Sequence, residues 1–237
     1  MEIYSLPCRL RSRDVNLFQR LRPSQLFELL QEAATDHSER LGYGIGYIRP
    51  KGLMWVLARQ NVEIARMPSY GEEIVVETWP GRTVHSLYPR YYRVLDADGT
   101  PIIESSAIWM LADLNERTLV PSSQSGIEYS FVKRGMELAL PSPPRSFFTD
   151  KVLSFTVPFS YVDMNGHMNN TRYFDLADNL SPNAVKGRDP QRILVEYSAE
   201  LLGGQSYDLF YGQDGDRFFL KAGKDKPLFR IVMDYCR

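Results

Sequence analysis

The sequence predicts an α+β fold built from two tandem units, each a curved antiparallel sheet wrapped around one central helix. Three observations carry that expectation. The 237 residues include 14 Tyr and 12 Phe within a 43% hydrophobic composition, and aromatic and β-branched residues favour strands. The order strand, helix, several long strands occurs twice along the chain. Between the two occurrences lies a stretch rich in Pro and Ser, which reads as a linker.

The first unit opens on Glu2–Arg13, where apolar and polar residues alternate as in a half-buried strand. Pro23 then suits a first helical turn, and Leu26, Phe27, Leu29, Leu30, Ala33 and Ala34 recur at helical spacing until Gly42 and Gly44. Four strands follow, at Leu53–Arg66, Glu72–Pro80, His85–Ala97 and Pro101–Asn115, each bounded by a turn signal. Asp98-Gly99 is a hairpin cue between the last two. The linker runs from Pro121 and Ser122 to Pro143 and Pro144, with room for one short ordered piece.

The second unit repeats the order. Lys151–Pro158 reads as a strand, Asn169–Leu180 as a helix, and Ile193–Leu201, Ser206–Tyr211, Arg217–Ala222 and Leu228–Tyr235 as strands. QLFELLQEA (25–33) aligns with RYFDLADNL (172–180), and VEIARMPSYGEEIVVE (62–77) with VEYSAELLGGQSYDLF (195–210). Residues 1–122 are thus assigned to a first repeat, 123–150 to the linker and 151–237 to a second repeat. A sheet curved around a helix is the hotdog arrangement. Its open edge requires a partner, which a second copy in the same chain supplies. The rival is an eight-stranded barrel with unrelated helices.

Composition narrows the function. A formal net charge of −1 disfavours a nucleic-acid binder. No window approaches the ~18 apolar residues of a membrane span. Arginines occupy the place of a signal-peptide core near the start, so a cytoplasmic location is expected. Cys8 and Cys236 form no CxxC pair, His37, His85 and His167 have no metal-ligand spacing, and no phosphate-binding glycine loop is present.

The densest polar cluster is SYVDMNGHMNNTRYF (160–174). Asp163, Asn165 and His167 alternate, which in an extended segment puts all three on one face. Gly166 permits an unusual backbone dihedral, and Asn169 or Asn170 can cap the following helix. A carboxylate, an amide, an imidazole and a helix N-terminus together can polarise a carbonyl and activate a water. An Asx-rich turn with a cap is the plainer explanation. Against it, the matching positions of the first repeat (Asn16, Phe18 and Arg20) lack the constellation. On the next strand, Glu196 and Glu200 share a pleat face with Tyr197 opposite, unless a bulge intervenes. Either carboxylate is a candidate for reaching the cluster.

Asp-x-Asn-x-His-x-Asn-Asn, an aromatic-rich helix and a Val-Glu-Tyr…Glu strand together resemble the acyl-acyl carrier protein thioesterase family over essentially the whole chain. The resemblance implies a tandem hotdog in which the second repeat is catalytic and the first forms an acyl tunnel. It implies that Asp163, Asn165, His167 and Glu200 are the catalytic set. Plant members carry a cysteine after the matching glutamate, whereas this sequence has Leu201, so hydrolysis by direct attack of water is expected. Glu200 would activate the water and His167 share proton transfer. Asn165, with a backbone N–H near Gly166 or the helix start, would hold the oxyanion, and Asp163 would orient its neighbours; the roles of Asp163 and Glu200 are interchangeable at this level. No cofactor and no metal are required.

The expected partner is acyl carrier protein, as monomer or homodimer. Met54, Trp55, Met67, Trp109 and Met110 are candidate tunnel residues. Arg9, Arg11, Arg13, Arg20, Arg22, Lys133, Arg134, Arg145, Lys151 and Arg172 are candidate docking cations. Acyl-CoA thioesterase, a non-catalytic acyl-binding module and a dehydratase-like lyase are the alternatives, the last disfavoured by Asn165.

Overall fold

The computed structural model describes residues 3–128, 131, 135, 137–144 and 148–235. The first half contains β1 (Tyr4–Arg9), α1 (Pro23–Arg40), a short α2 (Ile45–Ile48), β2 (Leu53–Ile64), β3 (Glu73–Pro80), β4 (Tyr88–Leu95), β5 (Pro101–Asp113) and β6 (Leu119–Val120). A single turn, α3 (Ser122–Ser125), opens the linker. The second half contains β7 (Lys151–Thr156), α4 (Arg172–Leu180), α5 (Pro182–Val185), β8 (Pro190–Tyr197), β9 (Ser206–Asp214), β10 (Arg217–Ala222) and β11 (Phe229–Tyr235). The expected elements are all present; most ends are trimmed where turns take over, whereas β8 starts earlier, at Pro190, and β9 runs on to Asp214. The first strand is shorter than Glu2–Arg13, because the chain leaves the sheet after Arg9.

The two curved sheets join edge to edge, as their open edges require, into one continuous 11-stranded antiparallel sheet, in the order β1-β3-β4-β5-β2-β8-β11-β10-β9-β7 with β6 beside β5. The order is a palindrome of the two halves. β2 pairs with β8 antiparallel at the middle, in the register Arg59↔Glu196 through Glu63↔Arg192. Asn61 faces Leu194 at the centre of that seam, and the two are equivalent in the internal alignment. A pseudo-two-fold axis therefore passes between them, and each half covers the other's open edge.

The helices meet behind the sheet. α1 buries Leu26, Phe27, Leu30, Ala33 and Ala34, and α4 buries Tyr173, Phe174, Leu176 and Ala177. Phe27 and Phe174, aligned residues of the two repeats, stack with ring centroids 3.8 Å apart. One hydrophobic core includes both helices and both half-sheets, so neither repeat owns a complete core.

On the outer face of the seam, buried Glu196 accepts from Arg59 Nε at 3.0 Å and from Arg230 Nε at 2.7 Å. The linker crosses this face. Ser106 Oγ donates to Ala139 O at 2.8 Å, and Arg230 Nη1 to Pro144 O at 3.4 Å. Among the described residues no helix is long and apolar enough to cross a membrane.

Candidate active site

The polar cluster does not lie in an extended segment. Val162 and Met168 form an isolated β-bridge, Asp163 N–H donates to His167 O at 3.0 Å, and Gly166 N–H donates to Asp163 O at 3.0 Å. The segment is thus a tight hairpin turn, with Gly166 in the left-handed region at φ 84°. It is this turn, and not strand alternation, that brings Asp163 and His167 together.

The first half builds the same turn. Val15 bridges Leu21, Gln19 takes the left-handed position at φ 62°, and Asn16 Oδ1 accepts from Phe18 N at 3.0 Å. In the second half Asp163 Oδ1 accepts from Asn165 N at 2.8 Å in the same way. The Asx-turn explanation therefore holds for both repeats as backbone geometry. The difference is chemical: Asp163, Asn165 and His167 stand where the first repeat has Asn16, Phe18 and Arg20.

Glu200 arrives by a break in the pleat. β8 ends at Tyr197, and Ser198 N and Ala199 N both donate to Leu228 O, at 2.8 and 2.9 Å. One carbonyl taking two successive N–H groups is a bulge, and it reverses side-chain parity. Glu196 therefore points outward to its arginines while Glu200 joins the hairpin, which corrects the shared face expected from simple alternation. Met168 N–H donates to Leu201 O at 2.7 Å and His167 bridges Leu202, fastening the hairpin to this segment.

His167 sits between two carboxylates. Its Nδ1 is 3.9 Å from Asp163 Oδ2 and its Nε2 is 3.7 Å from Glu200 Oε1. The side chains of His167 and Asp163 are 12% and 18% exposed, against 33% for Glu200. Nδ1 also lies 3.3 Å from Met168 O, which can only accept. That contact favours the tautomer with hydrogen on Nδ1 and leaves Nε2 towards Glu200.

Neither Asn169 nor Asn170 caps α4: the N-cap is Thr171, with no side-chain cap bond, and Asn169 Oδ1 accepts instead from Thr171 N and Thr171 Oγ1, both at 2.9 Å, in the turn ahead of the helix. Asn170 uses its carbonyl instead, accepting from Tyr197 Oη at 2.7 Å. Burial raises the phenols of Tyr173 and Tyr197 above their ordinary range, so both remain neutral donors. The Gly166 N–H is already bonded, as are those of Thr171, Arg172 and Phe174 at the start of α4, which leaves the Asn165 side-chain amide as the candidate oxyanion donor.

Asp163, Asn165 and His167 of the hairpin, with Glu200, line a cavity of about 810 Å³. Its other walls come from α1 (Ala34, Ser38), from β2 and β5, and from Tyr173 and Tyr197. Met54, Trp55, Trp109 and Met110 line it as expected. Met67 does not; it is packed in the core at 1% exposure.

Sequence reasoning missed Arg117. It stands in the turn between β5 and β6, in the first half, yet its Nη1 reaches Glu200 Oε1 at 3.1 Å. Nη1 also lies 2.9 Å from Met54 Sδ, and Nη2 is 3.4 Å from Asn165 O. Nothing local in the sequence signals a contact between residues 83 positions apart.

The other candidates are placed as follows. Cys8 lies on β1, and burial, with a smaller contribution from Asp14, pushes its thiol up to about 11. It is therefore no thiolate nucleophile at neutral pH. Of the expected docking cations, Arg13 pairs with Asp14, Arg20 with Asp189 and Arg172 with Asp175, while Arg22 Nε donates to Val15 O. Lys133, Arg134, Arg145 and Cys236 lie outside the described residues.

A palindromic sheet over two helices, with a carboxylate–imidazole–carboxylate hairpin in one half only, defines an asymmetric double-hotdog protein. The chain belongs to the acyl-ACP thioesterase family: residues 3–124 match the family's N-terminal domain and residues 147–223 its C-terminal domain. It is 28% identical over 187 residues to the palmitoyl-acyl carrier protein thioesterase of Arabidopsis thaliana, covering 72% of this chain and 45% of that protein. The corresponding cotton (Gossypium hirsutum) protein is 25% identical over 214 residues, covering 84% and 52%. The chain thus spans about half the length of these curated relatives. Its fold is that of an acyl-ACP thioesterase from Bacteroides thetaiotaomicron, with a TM-score of 0.85 at 23% identity and 99% and 98% of the two chains covered. The 12:0-ACP thioesterase from Umbellularia californica gives 0.79 at 19% identity, covering 99% and 97%.

Proposed function

We propose that the protein hydrolyses acyl-acyl carrier protein thioesters and releases free fatty acid during fatty acid biosynthesis. The observation that carries this reading is that Asp163, His167 and Glu200 lie side by side in the lining of the cavity. A cavity of this size, within the ~300–1,000 Å³ range of small-molecule sites, suits a flexible acyl chain. Its walls come mainly from the first half, which we assign the acyl-binding role, while the second half holds the chemistry. The relatives' names, palmitoyl- and oleoyl-acyl carrier protein thioesterase, support the substrate class.

In the proposed reaction Glu200 takes a proton from water, and the water oxygen attacks the thioester carbonyl carbon. Both carboxylates line the cavity and each has one oxygen engaged, Asp163 by the Asn165 backbone and Glu200 by Arg117; the greater exposure of Glu200, 33% against 18%, favours it as base and Asp163 as the group that orients His167. The Asn165 side-chain amide holds the tetrahedral oxyanion. The carbon–sulfur bond then breaks, and the proton that Glu200 took from water passes through His167 Nε2, 3.7 Å from Glu200 Oε1, to the departing thiolate, which returns both groups to their starting states. Leu201, following Glu200, is buried and apolar, so no acyl-enzyme step is included.

The test is turnover of a chain-length series of acyl carrier protein thioesters, read as free thiol and free fatty acid. Release of both supports the assignment. Faster turnover of the matching acyl-CoA would move the substrate to coenzyme A. Retention of intact thioester by the folded protein would make it an acyl-binding module.

A further inference from the structure

The geometry points to Arg117 as the residue that positions Glu200, so that the half without the catalytic hairpin completes the site. This rests on the hydrolase reading above and deepens it. Two independent observations support it. The first is the contact across the halves: the Arg117 guanidinium donates to Glu200 Oε1 at 3.1 Å and to Asn165 O at 3.4 Å. It thereby spans the carboxylate that faces His167 and the hairpin that carries His167. A charge-assisted bond of this kind restricts the rotamers of a glutamate that is otherwise one-third exposed.

The second observation is backbone strain. Arg117 has φ 56°, in the left-handed region that disfavours a residue with a Cβ and suits Gly or Asn. The turn around it is otherwise well formed. Asp113 Oδ1 accepts from Asn115 N and Glu116 N, both at 2.8 Å, and Arg117 N–H donates to Asp113 O at 3.0 Å. The local backbone therefore gives no reason for an arginine, and its side chain is spent on the other half. Strain retained at such a point is characteristic of functional sites.

The groups facing Glu200 are Arg117 from the β5–β6 turn and His167 from the hairpin, with Asp163 behind the imidazole and the neutral Tyr173 on α4. Arg117 is the one permanent cation bonded to Glu200 among the described residues.

The experiment compares the wild-type protein with Arg117→Gly, Arg117→Lys, Glu200→Gln and the Arg117→Gly/Glu200→Gln double variant, on one acyl carrier protein thioester. For Arg117→Gly, kcat is expected to fall roughly 10- to 100-fold, the loss of one charged hydrogen bond. KM should change little, and Tm should stay level or rise as the left-handed strain is relieved. Arg117→Lys keeps the charge but not the fork and should restore part of kcat. In the Glu200→Gln background Arg117→Gly should add little, since the two act as one unit. An unchanged kcat in Arg117→Gly overturns the assignment. So does a rise in KM alone, which would make Arg117 a substrate contact. So do additive losses in the double variant. Absence of wild-type turnover would remove the hydrolase reading and this inference with it, whereas wild-type turnover with indifferent variants removes only the role of Arg117.

Discussion

Asp163→Asn is the sharpest probe of the site, because the protein already contains its structural control. Asn16, the equivalent residue of the first half, makes the same turn with an amide oxygen. Asn at 163 therefore keeps the acceptor for Asn165 N–H and removes only the charge beside His167 Nδ1. When His167 carries a second proton during the reaction, a carboxylate 3.9 Å away is worth about 4 kcal/mol at an effective dielectric near 20. Screening at side chains that are 12% and 18% exposed can halve this, leaving ~2–4 kcal/mol, or about 30- to 1,000-fold in rate. The expected result is a fall in kcat of that size with an unchanged Tm. Asp163→Ala should lose the same activity and about 1 kcal/mol of stability besides, because the turn bond goes too. Steady-state turnover on a carrier-protein thioester and a melting curve for each variant are the assays. An Asp163→Asn variant within threefold of wild type would refute the orienting role of this carboxylate.

The two glutamates of the 196–200 segment should separate cleanly: Glu200→Gln should abolish most turnover at unchanged Tm. Glu196→Gln should leave two arginines short of their carboxylate and cost about 3–5 kcal/mol of stability, with turnover of the folded protein retained. Phe174→Ala removes one ring of a stacked pair and should cost roughly 3–5 kcal/mol. In the Phe27→Ala background the further loss should be smaller, as urea midpoints will show. His37 is buried and accepts from Arg90 through Nδ1 at 3.1 Å; burial foremost, then the charges of Arg90 and Arg40, lowers its pKa to about 4. A folded-state value below the unfolded one means that the unfolded chain binds the proton first. Stability should therefore fall as pH drops from about 6.5 towards 4, by up to ~1.4 kcal/mol per pH unit. His37→Gln should flatten that slope in urea titrations at pH 7 and pH 5, and an unaltered slope would remove His37 as its source.

Much of this molecule was legible in the residues because local rules govern it. Helical spacing of Leu26, Phe27 and Leu30 placed α1, and the repeated order of elements gave the two halves. The alignment that set Phe27 over Phe174 named the pair that stacks between the helices. Asp163 and His167 could be picked out because they lie only four positions apart, in one turn. Glu200 was identifiable by resemblance but not by pleat counting, since the two N–H groups that converge on Leu228 O depend on a strand far along the chain.

The sequence by itself determined the elements, their duplication and the confinement of the polar cluster to one copy, because periodicity, turn residues and side-chain identity are local properties. Tertiary structure decided that two half-sheets fuse through β2 and β8, that Met67 is core rather than cavity, and that Glu196 and Glu200 part company across a bulge. It also decided that Arg117 of the first half reaches Glu200 of the second. Those outcomes depend on which backbone groups find partners across the pseudo-two-fold axis, and a pairing between residues 83 positions apart leaves no mark on the residues beside either one.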